Sequence, residues 1–219
     1  MILEQILNAL FPPKCILCGK VLPPNETDLC HSCRTDTEIF PKATRNISFV
    51  ADWTSMWYYN GNVRNSLLRY KFHNRRSYGA VYGRLLAMKL LSKPLCQYDI
   101  LTWVPVSPQR KRKRGFDQVE LIAQAVGQEL GTPAVPVLKK IKHNKPQSRL
   151  SDPSRRRANV LGAYTVPDPA AIAGKRILLL DDIITTGATI QECSRTLLTA
   201  GAKEVYCAAV AALNKDKRR

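Results

Sequence analysis

Arg176-Ile-Leu-Leu-Leu-Asp-Asp-Ile-Ile-Thr-Thr-Gly-Ala-Thr189 is the stretch from which the rest of the 219-residue chain can be read. Ile177 to Leu180 form a continuous apolar run, the pattern of a strand buried on both faces of a parallel sheet. Such a strand delivers Asp181 and Asp182 to the carboxyl end of the sheet, where open α/β proteins hold their ligands. The chain then turns through Thr185, Thr186 and Gly187 into a helix that includes Ala188 and Thr189. Consecutive backbone N–H groups at a helix start, with the macrodipole and the threonine hydroxyls, make a phosphate cradle. Gly187 is expected to let the backbone come close to a ligand without a Cβ in the way. The two carboxylates are acceptors suited to a pair of sugar hydroxyls. Helix capping by an ordinary βα turn explains one Asp or one Thr, but not a doublet followed by Thr-Thr-Gly-x-Thr.

Outward from this segment, strands and helices alternate. Residues 49–59 are aromatic-rich and read as a strand stopped by Asn60-Gly61. Residues 63–70 and 81–91 have helical spacing, 99–106 read as a strand closed by Pro105 and Pro108, and 119–130 as a helix stopped by Gly131. Residues 139–159 are polar, basic and unpatterned, and are expected to form a long mobile loop. A helix over 187–200 ends at Gly201, and 204–212 read as a further buried strand. The alternation predicts a mostly parallel α/β sheet. Trp53, Trp57 and Tyr58 are expected in its core rather than as base-stacking platforms.

Four of the seven cysteines form two C-x-x-C pairs, Cys15/Cys18 and Cys30/Cys33, separated by eleven residues. Each such turn sets two sulfurs on the same side, and two turns close a tetrahedral zinc site. Redox-active C-x-x-C is the competing reading; two pairs at ribbon spacing favour a closed, structural zinc, with His31 a bystander. A unit of about 45 residues buries little core, so metal is expected to stabilise it. The sequence therefore divides at residues 1–45 and 46–219, the first part opening with an amphipathic helix. Cys96, Cys193 and Cys207 lie in apolar surroundings and read as small buried hydrophobes.

Thirty-four Lys and Arg against seventeen Asp and Glu give a net charge of +17, which favours polyanionic partners. The positive charge gathers in Arg110-Lys-Arg-Lys-Arg114, in Arg155-Arg-Arg157, and in Lys139, Lys140, Lys142 and Lys145. These clusters read either as solvated surface or as contacts to pyrophosphate or a nucleic-acid backbone. No apolar run approaches the roughly 20 residues of a membrane span. The start of the chain carries Glu4 and the Pro12-Pro13 pair where a secretory signal would be cleaved, so a cytoplasmic location is expected.

Residues 177–189 resemble the thirteen-residue signature of type I phosphoribosyltransferases. More of the chain is similar to the ComF family of competence-associated phosphoribosyltransferase-like proteins. The resemblance runs through Leu10-Phe-Pro-Pro-Lys-Cys15, the cysteine pairs, Tyr59-Asn-Gly-Asn-Val-Arg64, Arg69-Tyr-Lys-Phe72, Val104-Pro-Val106 and Arg114-Gly-Phe-Asp-Gln118. It continues in Lys145-Pro-Gln-Ser-Arg-Leu150 and Arg156-Arg-Ala-Asn-Val160. Asp117 stands where that family commonly has Asn, and Ser107-Pro108 where Pro-Leu is frequent. The resemblance implies a type I phosphoribosyltransferase fold, a twisted parallel sheet flanked by helices, with an N-terminal four-cysteine zinc module. It implies that 5-phosphoribosyl-1-pyrophosphate binds with Mg2+. Asp181 and Asp182 would hold the ribose hydroxyls, Thr185, Thr186, Gly187, Ala188 and Thr189 the 5′-phosphate, and Pro105, Val106, Ser107 and Arg110 the pyrophosphate. Lys111, Arg112, Lys113, Arg114, Arg155, Arg156 and Arg157 would meet single-stranded DNA entering the cytoplasm, with an uptake helicase as partner and recruitment to the inner membrane face. A transferase acting on an unidentified acceptor and a ligand-sensing regulator are the alternative functions.

Overall fold

The computed structural model describes residues 11–41, 43, 45–92, 95, 97–142 and 158–213. The leading helix expected over the first ten residues, Cys96, the loop with Lys145 and Arg155 to Arg157, and the basic tail lie outside the described residues.

Helix α1 spans His31–Asp36 and belongs to the cysteine segment. Strand β1 (Asp52–Tyr58) is followed by α2 (Gly61–Phe72) and α3 (Tyr78–Ser92). Then come β2 (Ile100–Trp103), α4 (Pro108–Arg114) and α5 (Gln118–Leu130). A small hairpin pairs β3 (Lys139–Lys140) antiparallel to β4 (Tyr164–Thr165). After a 3-10 turn at Ala170–Ile172 come strand β5 (Arg176–Ile184), α6 (Ala188–Thr199) and β6 (Glu204–Ala212). The main sheet has the order β1-β6-β5-β2, every neighbouring pair parallel.

Alternation along the central strands divides the core into two. Leu178 and Leu180 of β5 and Ala208 and Val210 of β6 face the layer containing Val63, Leu67, Tyr82, Leu86 and Ile122 from α2, α3 and α5. Ile177 and Leu179 with Val205, Cys207 and Ala209 face the opposite layer, with Ile190, Cys193 and Leu197 of α6. This period of two, with both faces covered, is why the strands read as continuous apolar runs. Helices α3 and α5 approach so closely that a Cβ on Gly83 would lie 2.3 Å from the Ala125 Cβ, so only glycine fits there.

Two expectations are corrected. Strand β1 starts at Asp52 rather than residue 49, because Phe49 has a left-handed φ of 69° and turns the chain. Residues 139–140 are ladder rather than loop, and Lys140 is buried with its ammonium 3.0 Å from the Tyr164 hydroxyl. Trp53 and Trp57 are buried, as are Cys193 and Cys207.

Candidate functional site

Adjacent residues of a strand point to opposite faces, so β5 sends its two carboxylates to different sides of the sheet. Asp182 faces α2 and α5. Its Oδ2 accepts from the Lys71 ammonium at 2.8 Å and from the Gln118 amide at 3.2 Å. Because that amide nitrogen faces a carboxylate oxygen, the Gln118 Oε1 is turned away, and it is buried without a partner. Asp181 accepts from the backbone N–H of Asp182 at 2.8 Å. Burial, and then the neighbouring Asp182 charge, push the Asp181 pKa well above the usual carboxylate range, with Lys71 and Lys140 acting against them. Lys71 sits in the Arg69-Tyr-Lys-Phe72 segment and Gln118 in Arg114-Gly-Phe-Asp-Gln118; sequence reasoning assigned neither a role at the acidic pair.

After β5 the chain passes Thr185 and Thr186 into Gly187, which caps α6 with φ 85° and ψ −3°. A Cβ there would be strained by the backbone and would meet the Ile47 side chain at 3.2 Å. The glycine thus answers a left-handed turn packed on Ile47, a reason the expectation of close ligand approach did not include. Asp181, Thr185, Gly187, Ala188 and Thr189 border a shallow hollow of about 30 Å³. A larger cleft of about 340 Å³ between α1 and the start of α2 is lined by Asp36, Glu38, Asn60 and Asn62; its acidic wall does not suit a phosphate.

The 104–107 segment lies beside the acidic pair because β2 is the neighbour of β5, and the Val104 N–H donates to the Leu180 carbonyl at 2.9 Å. Asp117 fastens it. The Asp117 carboxylate caps α5 by accepting from the N–H groups of Val119 and Glu120, and its other oxygen accepts from the Val106 N–H at 3.0 Å. An Asn has one acceptor oxygen and no second one for Val106, so Asp at this position has a local physical reason. Burial raises the Asp117 pKa and the three N–H bonds oppose the rise. Ser107 caps α4 and Pro108 is its first residue, a preorganised helix start that accounts for the other departure.

The basic run is therefore a helix, α4, ended by Gly115 in the left-handed conformation. Its side chains have different surroundings. Lys111 pairs with Glu120 at 2.7 Å, Arg114 stacks over Phe72 at 5.4 Å, and Arg112 and Lys113 are exposed. Arg110 is half-buried, and burial followed by the Arg114 charge lowers its pKa. Phe72 is 66% exposed and directly follows Lys71, so Arg114 of the basic helix stacks one residue away from the cation that pairs with Asp182.

The Sγ atoms of Cys15, Cys18, Cys30 and Cys33 lie within 4.8 Å of one another, the one such cluster among the described residues. A tetrahedral zinc with Zn–S bonds of about 2.3 Å needs sulfurs about 3.8 Å apart, and Cys18 and Cys30 stand at 3.6 Å. Gly19, at φ 81°, returns its N–H to the Cys15 carbonyl at 2.8 Å to close the first turn. Burial opposes ionisation of Cys15, yet N–H donors from Cys18, Cys30 and Leu17 hold it at about 7; burial and the neighbouring sulfurs push Cys33 up. Four thiols so placed cannot all ionise without a cation, so the donor set fits a structural zinc. His31 is exposed and lies outside the cluster, and its backbone N–H donates to the Glu26 carboxylate.

The cysteine segment packs against α2 and α3. Ile16 and Leu17 share the core of α2 and α3, the Ser66 hydroxyl and the Arg69 guanidinium donate to the Ile16 carbonyl, and Arg84 clasps Asp28 through both carboxylate oxygens.

A parallel sheet with an acidic doublet at the carboxyl end of a central strand, followed by a Thr-Gly loop capping the next helix, defines the type I phosphoribosyltransferase fold. Residues 120–219 match the family described as Phosphoribosyl transferase domain, and residues 6–44 the Double zinc ribbon domain. Competence protein ComFC of Streptococcus pneumoniae (strain ATCC BAA-255 / R6) is 32% identical over 183 residues, spanning 82% of this chain and 74% of that protein. Competence protein F of Haemophilus influenzae (strain ATCC 51907 / DSM 11121 / KW20 / Rd) is 26% identical over 88% of this chain and 93% of its own length. DNA utilization protein YhgH of Salmonella typhi is 31% identical over 63% of this chain and 62% of its own. The chain belongs to the ComF family of competence proteins.

Proposed function

We propose that this chain binds 5-phosphoribosyl-1-pyrophosphate with Mg2+ and handles incoming single-stranded DNA in natural transformation, in the cytoplasm and with an uptake helicase as partner. The observation that carries the reading is the buried acidic pair beside the loop of residues 185–189. Asp181 and Asp182 take the ribose hydroxyls, residues 185–189 the 5′-phosphate, and residues 105–107 with Arg110 the pyrophosphate. Carboxylate oxygens are also the donors that Mg2+ riding on a pyrophosphate prefers.

For the DNA, support comes from the exposed Arg112 and Lys113 of α4 and the exposed Phe72 at its side. Single strands are held by neutralising phosphates along a basic track and by stacking bases on aromatic rings. Arg155, Arg156 and Arg157 belong to the same proposal but lie outside the described residues. Relatives named for competence and for DNA utilization agree with this reading. No helix among the described residues is long and apolar enough to cross a membrane. Recruitment to the inner membrane face is proposed to run through the partner.

Anisotropy of a labelled single strand of about 30 nucleotides, at two salt concentrations, tests the DNA part. Arg112→Ala with Lys113→Ala should lower affinity and reduce the salt slope by about 0.7 log units for each phosphate that is no longer neutralised. Wild-type protein that leaves the strand free at low salt sinks the DNA reading.

A further inference from the structure

Residues 45–53 bring a second, unassigned cation to the phosphate loop. The Arg45 carbonyl accepts from the Trp53 indole N–H at 2.9 Å, and the Arg45 guanidinium lies over that indole at 5.1 Å. Its Nη2 donates to the Thr185 carbonyl at 2.7 Å. Two positions along, Ile47 packs against Gly187. One short segment therefore touches the first residue of the loop and the residue that caps α6.

The guanidinium is poorly satisfied there. Nε and Nη1 are buried and bond to nothing, and no carboxylate pairs with Arg45 among the described residues. Burial alone lowers the Arg45 pKa. Arg45 as a whole is half-buried, but covering two donors of a cation without giving them an acceptor or an anion is unfavourable. A purely structural arginine on the Thr185 carbonyl would be served as well by a smaller, neutral donor. Stacking on Trp53 instead holds a planar, permanently charged fork in place, a use to which Lys is unsuited.

We propose that Arg45 is the counter-cation of the phosphate monoester held by residues 185–189 when a pentose 5-phosphate binds. The proposal rests on the reading of residues 185–189 as the phosphate loop and adds a residue from the segment that joins the cysteine module to β1. It explains why the cation is left without a protein anion: the ligand supplies one. Its bond to the Thr185 carbonyl places its charge next to the proposed monoester site, whereas a pyrophosphate would meet the 105–107 segment.

The test is calorimetric titration of the wild type, Arg45→Met and Arg45→Lys with ribose 5-phosphate and, separately, inorganic pyrophosphate. Arg45→Met should weaken ribose 5-phosphate by about 10- to 100-fold, the usual worth of hydrogen bonds between charged groups. Pyrophosphate affinity should stay within about two-fold. The monoester gains its second charge near pH 6, so wild-type affinity should fall as pH drops through that value. That dependence should flatten in Arg45→Met and survive in Arg45→Lys, which keeps the charge even if the stack on Trp53 is lost. Equal losses for both ligands with the pH dependence intact would mean that Arg45 only props the loop, and would overturn the proposal. Wild-type protein that binds neither ribose 5-phosphate nor 5-phosphoribosyl-1-pyrophosphate would instead remove the phosphate-loop reading. Tight ribose 5-phosphate binding by Arg45→Met would overturn the Arg45 assignment alone.

Discussion

Lys71→Met strips the Asp182 carboxylate of its cation while keeping most of the aliphatic stem in place. The two side chains are 17% and 7% exposed, so the carboxylate is the end less able to recover water. Removing one partner of a buried pair costs about 3–5 kcal/mol when the other remains charged and dry. Here Gln118 still donates to the carboxylate at 3.2 Å, and a hydrogen bond to a charged group retains about 1.5–3 kcal/mol of such an interaction. Lys71→Met should therefore destabilise the fold by about 2 kcal/mol. The reverse deletion should be milder. In Asp182→Asn the amide oxygen still accepts from Gln118, and the long Lys71 stem lets the ammonium reach solvent, so about 1 kcal/mol is expected. Because the two residues touch, the double variant should cost less than the sum of the single ones, with a coupling of about 0.5–1.5 kcal/mol. Urea unfolding at neutral pH measures all four proteins, with equal denaturant slopes confirming that stability alone has changed. Asp182→Asn proving as costly as Lys71→Met, or the two adding without coupling, would refute the asymmetric, buried pair.

Further outcomes follow from the metal, the loop and the hairpin. Elemental analysis of protein purified without chelators should find about one zinc per chain, and Cys33→Ser should lower the unfolding midpoint of the whole chain, since Ile16 and Leu17 lie in the core of α2 and α3. An intact, zinc-free protein would contradict it. Gly187→Ala should cost about 1–2 kcal/mol, because an L-residue must hold φ 85° and displace Ile47; an unchanged urea midpoint would show that the turn is not so constrained. Burial, aided by the Arg110 charge, lowers the Lys140 pKa to about 8. Between that value and the ordinary lysine value the unfolded chain binds more protons than the folded one, so stability should rise with pH across this window. Lys140→Met should remove that part of the pH dependence; identical pH curves for the two proteins would place Lys140 in water.

The acidic doublet and the turn of residues 185–189 were legible because everything that makes them is local: one buried strand, one turn, one helix start. The zinc site was legible for the same reason, its ligands being two short turns. What escaped was supplied from a distance. Arg45 reaches Thr185 across 140 positions and Gln118 reaches Asp182 across 64, and no pattern in either neighbourhood points to the partner. Lys140 looked like one more surface charge in a basic stretch, although the Tyr164 ring and hydroxyl bury it. Helix α4 was different: Ser107-Pro108 and Gly115 are start and stop signals that the density of positive charge obscured. The division at residue 45 followed a polar stretch, whereas the packing of Ile16, Leu17 and Asp28 on α2 and α3 joins the two parts through residues whose contacts no local pattern reveals.

The central claim, that the acidic pair and its loop bind a phosphoribosyl ligand, is tested most directly by calorimetric titration with 5-phosphoribosyl-1-pyrophosphate and Mg2+. The wild type should bind one equivalent saturably, and Asp181→Asn with Asp182→Asn should weaken binding by about 2–4 kcal/mol as two hydroxyls lose charged acceptors. A wild type that gives no binding heat, or a double variant with the wild-type isotherm, would contradict it.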